Sequence, residues 1–498
     1  MSIYLHLPIL QVILPMLMAP LVVLLQPRGL AWAATAATCA VSFIIAINLT
    51  ATVMNGYSID YDLGGWVPPF GISLRIDALT ALMLLVVNGA AAAAALAGRQ
   101  SVDSQVEHHR QPMFYAAWLL SLSGLSGMVV SADAFNIFVF MEISSLAAYI
   151  LIAGGPDRRA LLAVFKYLIM GTVGATFYLI GVGLVYMMTG TLNIEDMAAR
   201  IGEVSETRPV LVAAGFITIG LALKAALFPL HVWLPNAYTH APHMITVFLA
   251  ACGTKVAVYV LLRFDFTVFQ GSLDYHALHF ELFILPLALL GIFVASAVAM
   301  FEGQIKRMLA FSSVAQVGYI LLGASLLTVE GLTASLVHVF NHAIAKGTLF
   351  IAIAAIGLRY ANLRIDSLAG AAKQMPVTAA VFVVGGLSLI GVPGTAGFIS
   401  KWLLIEALMA EGTPGLLMVA IVLVSSLMAL VYVWRVVETL YFSEPVQEAG
   451  AAGRLEAPVP LLVMAIFGIG LNIGFGLMPQ LPVQLAEVAA LILTGSAS

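Results

Sequence analysis

The sequence predicts an all-α polytopic membrane protein of about fourteen transmembrane helices. Three observations carry that reading. Of 498 residues, 62% are hydrophobic and only 9% are charged, with a mean hydropathy of +1.04; soluble domains average about 25% charged. Apolar runs of about 20 residues, the length that crosses a bilayer, follow one another along the chain. The basic residues between these runs alternate in number from one connection to the next. Such a chain lacks the charged surface that a cytosolic enzyme of this length needs. Lys and Arg total 21 against 25 Asp and Glu, a formal net charge of −4. No basic excess exists to neutralise phosphates, so nucleic acid is excluded as a partner.

The spans read 7–26, 31–54, 76–97, 112–131, 133–154, 160–188, 209–229, 242–263, 280–301, 308–328, 332–357, 377–400, 414–441 and 457–478. The first is expected to be retained: Met1 to His6 has no basic flank, and no small-residue cleavage site follows. The longest connections, near 55–75, 190–208 and 359–376, are too short for a soluble domain. Cys39 and Cys252 sit in apolar runs without metal-ligand spacing and read as packing residues.

Loops numbered by the helix they follow give the topology. Odd loops hold Arg28, Arg99, Arg110, Arg158, Arg159, Lys306, Arg307, Arg359, Arg364, Lys373 and Arg454. Even loops hold only Arg75, Arg200, Arg208 and Arg263. The positive-inside bias places odd loops in the cytoplasm and both termini outside.

Six basic residues remain, and they fall inside spans: Lys166, Lys224, Lys255, Lys346, Lys401 and Arg435. Glu142, Glu406 and Glu438 do the same. Each charge at mid-bilayer costs about 2.5–3.5 kcal/mol on insertion scales, a heavy cost for a passive anchor. Arg435 and Glu438 are placed to snorkel from helix ends. Glu142, Lys224 and Lys255 are too deep for that.

Glu142 has no basic residue within a turn. A carboxylate so placed can hold or release a proton, and a lysine on another helix would suit it; a structural ion pair is the plain alternative. The seventh span, Leu223 to Pro235, carries Lys224 and His231 around Pro229 and Pro235. Each proline removes a backbone hydrogen bond, and broken helices at membrane depth are tolerated beside a cavity or polar partner. A kink needed only for packing is the alternative. His240 and His243 open the next span, where a water interface would also explain them, and Lys255 lies deeper. In the eleventh span His338, His342 and Lys346 are spaced i, i+4, i+8 and share one helical face. That stripe suits a hydrated proton path; a metal is not expected, because no third ligand accompanies the pair. The twelfth span, Gly391 to Trp402, breaks at Pro393 and then carries Lys401, with Glu406 beyond.

Interruptions in both halves point to inverted repeats around a midplane path. The expected organisation is 1–110 for helices 1–3, 111–264 and 280–442 for two inverted five-helix repeats, and 457–498 for helix 14 and a short tail. No Walker motif, dinucleotide fingerprint, iron–sulfur cysteine cluster or haem axial pair is present. No cofactor is expected. Any energy must come from ion gradients or a partner.

These residues resemble a known family: the antiporter-like subunits shared by Mrp-type cation/proton antiporters, respiratory complex I and membrane-bound hydrogenases. The resemblance spans about 75–442. It rests on Asp133 to Tyr149, Gly190-Thr191-Leu192-Asn193, Leu223 to Pro235 and Gly391 to Trp402. The stretch around Glu142 is most similar to the D-type subunit of Mrp antiporters. The resemblance implies a proton-handling axis of Glu142, Lys224 and Lys255, continued by His338, His342 and Lys346 and ending at Lys401. Lys166, His231, His240 and Glu406 are accessory candidates. It further implies a non-enzymatic subunit in a bacterial cell membrane, working with other membrane subunits on protons and Na⁺, K⁺ or Li⁺. The alternative it leaves is a pump module of a redox complex. His243 departs from the pattern, standing where many members carry a small residue or proline.

Overall fold

The computed structural model describes residues 3–25, 29–205, 207–271, 279–444 and 456–496. Arg28 and Arg454 of the topology count fall outside them.

Thirteen helices among the described residues are long and apolar enough to cross a membrane. They are spans 1 to 11, 13 and 14 of the sequence reading, and they run Tyr4–Leu24, Leu30–Met54, Ala78–Ala97, His108–Val130, Ala134–Ala153, Arg159–Thr189, Arg208–Ala225, His243–Val268, Phe280–Phe301, Ile305–Ala324, Val329–Gly357, Thr413–Tyr441 and Val459–Leu477. The twelfth span is two helices, Pro376–Ile390 and Ala396–Ala410, and brings the count to the expected fourteen.

Side chains start several of these helices. Asp77 accepts from the Thr80 amide at 2.9 Å and Asp133 from the Asn136 amide at 2.7 Å, capping spans 3 and 5. Thr328 does the same for span 11 through Gly331. Each cap satisfies an amide that would otherwise be orphaned near the membrane edge.

Loops pair by parity, as an alternating bundle requires. On the even side Asp133 bridges Asn193 and Leu74 bridges Ser131. On the odd side Gln304 bridges Arg364, and Gln105 accepts from the His243 amide at 2.8 Å. The 55–75 connection carries a small antiparallel hairpin, β1 (Ile59–Asp62) on β2 (Ser73–Ile76), with Ile59 opposite Ile76.

Spans 4, 8, 10 and 11 are buried almost throughout, whereas spans 1, 2, 6, 9, 13 and 14 bury less than half of their apolar windows. Water drives no helices together inside a bilayer, so close approach falls to small residues. Spans 6 and 7 show this: a Cβ on Gly220 would meet the Gly174 carbonyl at 2.5 Å.

Three boundaries differ from the sequence reading. Span 7 ends at Ala225, because Ala226 takes the left-handed conformation at φ 57°; its continuation is the short helix Trp233–His240. Lys306 belongs to the first turn of span 10 and is buried, not a loop charge. The tail beyond 478 is a second helix, Gln480–Leu493, which packs on spans 3 and 11. Pro479 interrupts it from span 14, and there Gly476 lies against the backbone of Gly394 and Thr395. The break in span 14 therefore abuts the break in span 12.

Candidate functional site

The site begins where span 5 meets span 7. Lys224 Nζ lies 3.5 Å from Glu142 Oε1 and donates to Ser145 Oγ at 2.8 Å. Ser145 lies three residues after Glu142, so both face the same neighbour. Glu142 is 28% exposed, while Lys224 is buried. The helix break holds Lys224 in place. With Ala226 left-handed, Trp233 Nε1 donates to the freed Leu223 carbonyl at 2.9 Å. The Trp233 ring stacks on Tyr167 of span 6, centroids 4.0 Å apart.

Beside Lys224 is a cavity of about 40 Å³ between spans 4, 5, 7 and 8. Ser121, Ser144, Trp233, Tyr238 and Thr254 line it with Lys224. That volume has room for about two or three waters. The Ser121 and Thr254 hydroxyls find no partner among the described residues, so the lining can bond water. Thr254 leads directly to Lys255, which is fully buried and donates to the Ala250 carbonyl.

Lys255 lies within electrostatic reach of His342 and Lys346 on span 11. Lys346 donates to the Leu309 carbonyl at 2.7 Å and to Ser312 Oγ on span 10. His342 stacks on His338, centroids 6.0 Å apart, and neither of its ring nitrogens has a partner among the described residues. His338 bonds Ser400 Oγ through Nδ1 and Gln316 Oε1 through Nε2, both at 2.9 Å.

The line ends at Lys401 in the second half of span 12. Its ammonium donates to the Ile390 carbonyl at 2.8 Å, the Leu389 carbonyl at 3.2 Å and Ser426 Oγ at 3.0 Å. It also sits 4.9 Å from the Tyr319 ring centroid. The break at Gly391-Val392-Pro393 exposes those carbonyls, and a cation at a helix C-terminus is favourably placed.

Glu142, Lys224, Lys255, His338, His342, Lys346 and Lys401 thus form a line in two parts: Glu142 meets Lys224 directly, Lys255 gathers with the span 11 residues and Lys401, and the cavity lined by Lys224 and Thr254 lies between them. Four sequence candidates do not join it. Lys166 is exposed on the outer face of span 6, and Glu406 is exposed with its carboxylate on Trp402 Nε1. His240 pairs with Asp157 at 3.0 Å near the odd-loop surface. His231 lies in the span 7 break, stacked on Phe228. Pro229 and Pro393 sit within their breaks, whereas Pro235 sits in the first turn of the short helix. Arg435 binds the carbonyls of Met300 and Glu302, and Glu438 is exposed, as snorkelling side chains would be. Among the described residues, no three His, Cys, Asp or Glu side chains gather to hold a metal ion.

The sequence reading missed the serines. The chain has three Ser-Ser pairs, 144–145, 312–313 and 425–426. Each supplies a hydroxyl to a buried lysine on another helix: Ser145 to Lys224, Ser312 to Lys346 and Ser426 to Lys401. A Ser-Ser pair inside an apolar span was the available signal.

Two broken helices and a line of buried lysines within fourteen spans define an antiporter-like membrane protein. Comparison with known proteins agrees. Residues 131–429 match the family described as NADH:quinone oxidoreductase/Mrp antiporter, TM. The N-type subunit of a NADH-quinone oxidoreductase from Desulforudis audaxviator is 40% identical over 483 residues, covering 93% of this chain and 94% of that one. The D-type subunit of a Na⁺/H⁺ antiporter from Alkalihalophilus pseudofirmus is 29% identical, covering 89% of each chain. A chain of an archaeal respiratory complex, the membrane-bound sulfane sulfur reductase, superposes with a TM-score of 0.90 at 32% identity and 98% coverage of both. The chain belongs to the NADH:quinone oxidoreductase/Mrp antiporter transmembrane family.

Proposed function

We propose that the chain is the proton-translocating subunit of a multisubunit monovalent cation/proton antiporter, Na⁺/H⁺ in the first instance. It is not itself an enzyme and carries no cofactor. Protons pass along the Glu142–Lys224–Lys255–His342/Lys346–His338–Lys401 line. The observation that supports this reading is the succession of buried lysines and histidines on spans 7, 8, 11 and 12, with a polar cavity between Lys224 and Thr254. A structural role would need one or two ion pairs, not a succession of amines and imidazoles with one carboxylate at the end.

The chemistry follows from charge. Like charges at this depth interact strongly, so a proton arriving at one site pushes the next along. The cavity beside Lys224 lets water bridge the step to Lys255. The two halves, 111–264 and 280–442, act as inverted repeats around the line, each broken once at mid-membrane. In the cell membrane, the positive-inside bias puts odd loops in the cytoplasm and both termini outside.

A second reading has its own support. The 40% identity to a NADH-quinone oxidoreductase subunit favours a pump module of a redox complex. Sealed vesicles holding the native complex separate the two. An antiporter dissipates an imposed pH gradient on addition of Na⁺, without electron donor or quinone. A redox module ignores Na⁺, K⁺ and Li⁺ and builds a gradient only when donor and acceptor are supplied; that result would replace the first reading with the second.

A further inference from the structure

Lys306 is the one buried lysine outside the line described above, among the described residues. It is 2% exposed, in the first turn of span 10. Its ammonium donates to the Ala241 carbonyl at 2.7 Å, and no carboxylate lies within ion-pair distance among the described residues. The position is unusual. A lysine one turn from a membrane edge has a stem long enough to reach water, yet this one points inward. A clamp for one carbonyl needs only a neutral donor, and burying a charge for that purpose is costly.

The neighbours supply a reason. Ala241 joins the short helix Trp233–His240 to span 8. His240, one residue earlier, bonds Asp157 Oδ2 through Nδ1 at 3.0 Å. Asp157 is 33% exposed and His240 17%, so this pair is open to water on the odd-loop side. Tyr238, two residues before His240, lines the cavity beside Lys224. Two residues of helix rise about 3 Å, so the two lie less than one turn apart along the axis, on different faces of the short helix. The Thr246 hydroxyl donates to the Tyr238 carbonyl at 3.1 Å and to that of Pro242 at 3.3 Å, tying the short helix to span 8. Charges facing His240 are Asp157, Arg159 and Lys306. His243, half-buried with its Nδ1 inaccessible and unpartnered among the described residues, also faces Lys306. Arg307 is already paired with Glu302.

We propose that Asp157, His240 and Lys306 form the proton port on the odd-loop side, feeding the cavity beside Lys224. The proposal rests on the proton-translocating reading. Asp157 orients His240, which takes a proton from water. Lys306 relays it inward, its ammonium exchanging one proton for another while it stays anchored on Ala241. No bond other than N–H and O–H is made or broken.

The test uses the intact complex in sealed vesicles, with proton flux measured while pH is varied on one side at a time. The variants are Lys306→Gln, Lys306→Met, His240→Gln and Asp157→Asn, with Glu142→Gln as the benchmark. Glutamine can still donate to the Ala241 carbonyl, so a purely structural Lys306 would be rescued in Lys306→Gln but not in Lys306→Met. The port predicts that both Lys306 variants lose flux at least tenfold. It also predicts that His240→Gln and Asp157→Asn flatten the flux response to odd-loop-side pH and leave the response on the other side intact. If Lys306→Gln fails to assemble, the two partly exposed positions decide alone. Wild-type flux and pH response in Lys306→Gln, or in both His240→Gln and Asp157→Asn, while Glu142→Gln is inactive, overturns the port but keeps the function. No proton flux even in the wild-type complex under either driving force overturns the function reading on which the port rests.

Discussion

Two glycines in the span 12 break allow a clean test of Lys401. Gly391 has φ +92° and Gly394 has φ +86°. An alanine at either one is strained by the left-handed backbone, at about 1–2 kcal/mol. They differ in what the added methyl meets. At Gly391 it would lie 2.8 Å from Lys401 Cδ, whereas at Gly394 nothing is within 4 Å. Ordinary contact begins near 3.4 Å, so Lys401 must yield by about 0.6 Å in Gly391→Ala. Its ammonium holds three acceptors at 2.8, 3.0 and 3.2 Å, and a shift of that size breaks the longest. A hydrogen bond to a charged group contributes about 1.5–3 kcal/mol, which in a rate is about 10- to 100-fold. Both variants should therefore lose thermal stability to backbone strain, Gly391→Ala the more because it also loses that bond. Only Gly391→Ala should lose proton flux by that factor, with subunit co-purification unchanged. Equal flux in the two variants at equal assembly would refute the claim that Lys401 must stay on those carbonyls for transport.

Four further outcomes follow from the same geometry. Glu142→Gln keeps shape but removes the charge 3.5 Å from Lys224; flux should fall at least tenfold in complexes that still assemble, and wild-type flux would make Glu142 structural. Lys224→Met and Lys255→Met roughly preserve volume, and both should block flux; full activity in Lys255→Met would confine the route to spans 5 and 7. Elemental analysis of the complex with and without His342→Gln should show no stoichiometric zinc that depends on the histidine, and a metal lost with the variant would overturn the proton-wire reading. Asp77→Asn leaves Arg263 buried without the carboxylate that binds it at 2.7 and 2.8 Å, so stability should drop by about 3–5 kcal/mol, read as a lowered Tm. Burial opposes the Asp77 charge, yet Arg263 and the Thr80 amide hold its carboxyl down at about 2; because the folded value is depressed, this contribution is present above the usual carboxylate range and is lost as pH falls towards 2.

The fold was legible because bilayer thickness sets run length and because basic residues sort by side. Pro229 and Pro393 located both breaks, since a missing N–H leaves a carbonyl unpaired. The span 7 break starts three residues before Pro229, where Ala226 turns left-handed, a choice that packing makes and composition does not announce. The site was legible in depth but not in azimuth. Position within an apolar run tells how far a charge lies from water, and Lys224, Lys255 and Lys346 were found that way. Which way it points depends on the neighbouring helices, so Lys166 and Glu406, read as accessory candidates within apolar stretches, face outward. Lys306 failed in the opposite sense: beside Arg307 at the end of a run it read as a loop charge, while span 10 begins one residue earlier and turns it inward.

The partners of the buried lysines explain why such a line can move protons and not merely hold them. Of Lys224, Lys255, Lys306, Lys346 and Lys401, all nearly inaccessible, only Lys224 has a carboxylate within 4 Å among the described residues. The others rest on backbone carbonyls and serine hydroxyls. A carboxylate partner stabilises the ammonium strongly and is itself left uncompensated when the proton leaves, so an ion pair resists discharge. A carbonyl or hydroxyl favours the ammonium less, but a neutral amine still has N–H groups to donate to it. The site therefore keeps its geometry in both protonation states. Neutral acceptors along the line and a single carboxylate at its more exposed end form an asymmetric arrangement; on the proposed proton-translocating reading, a proton held at Glu142–Lys224 would pass along groups that do not trap it. Placing an acid beside an interior lysine, for example Ser312→Asp against Lys346, should therefore slow flux, even though it adds an ion pair.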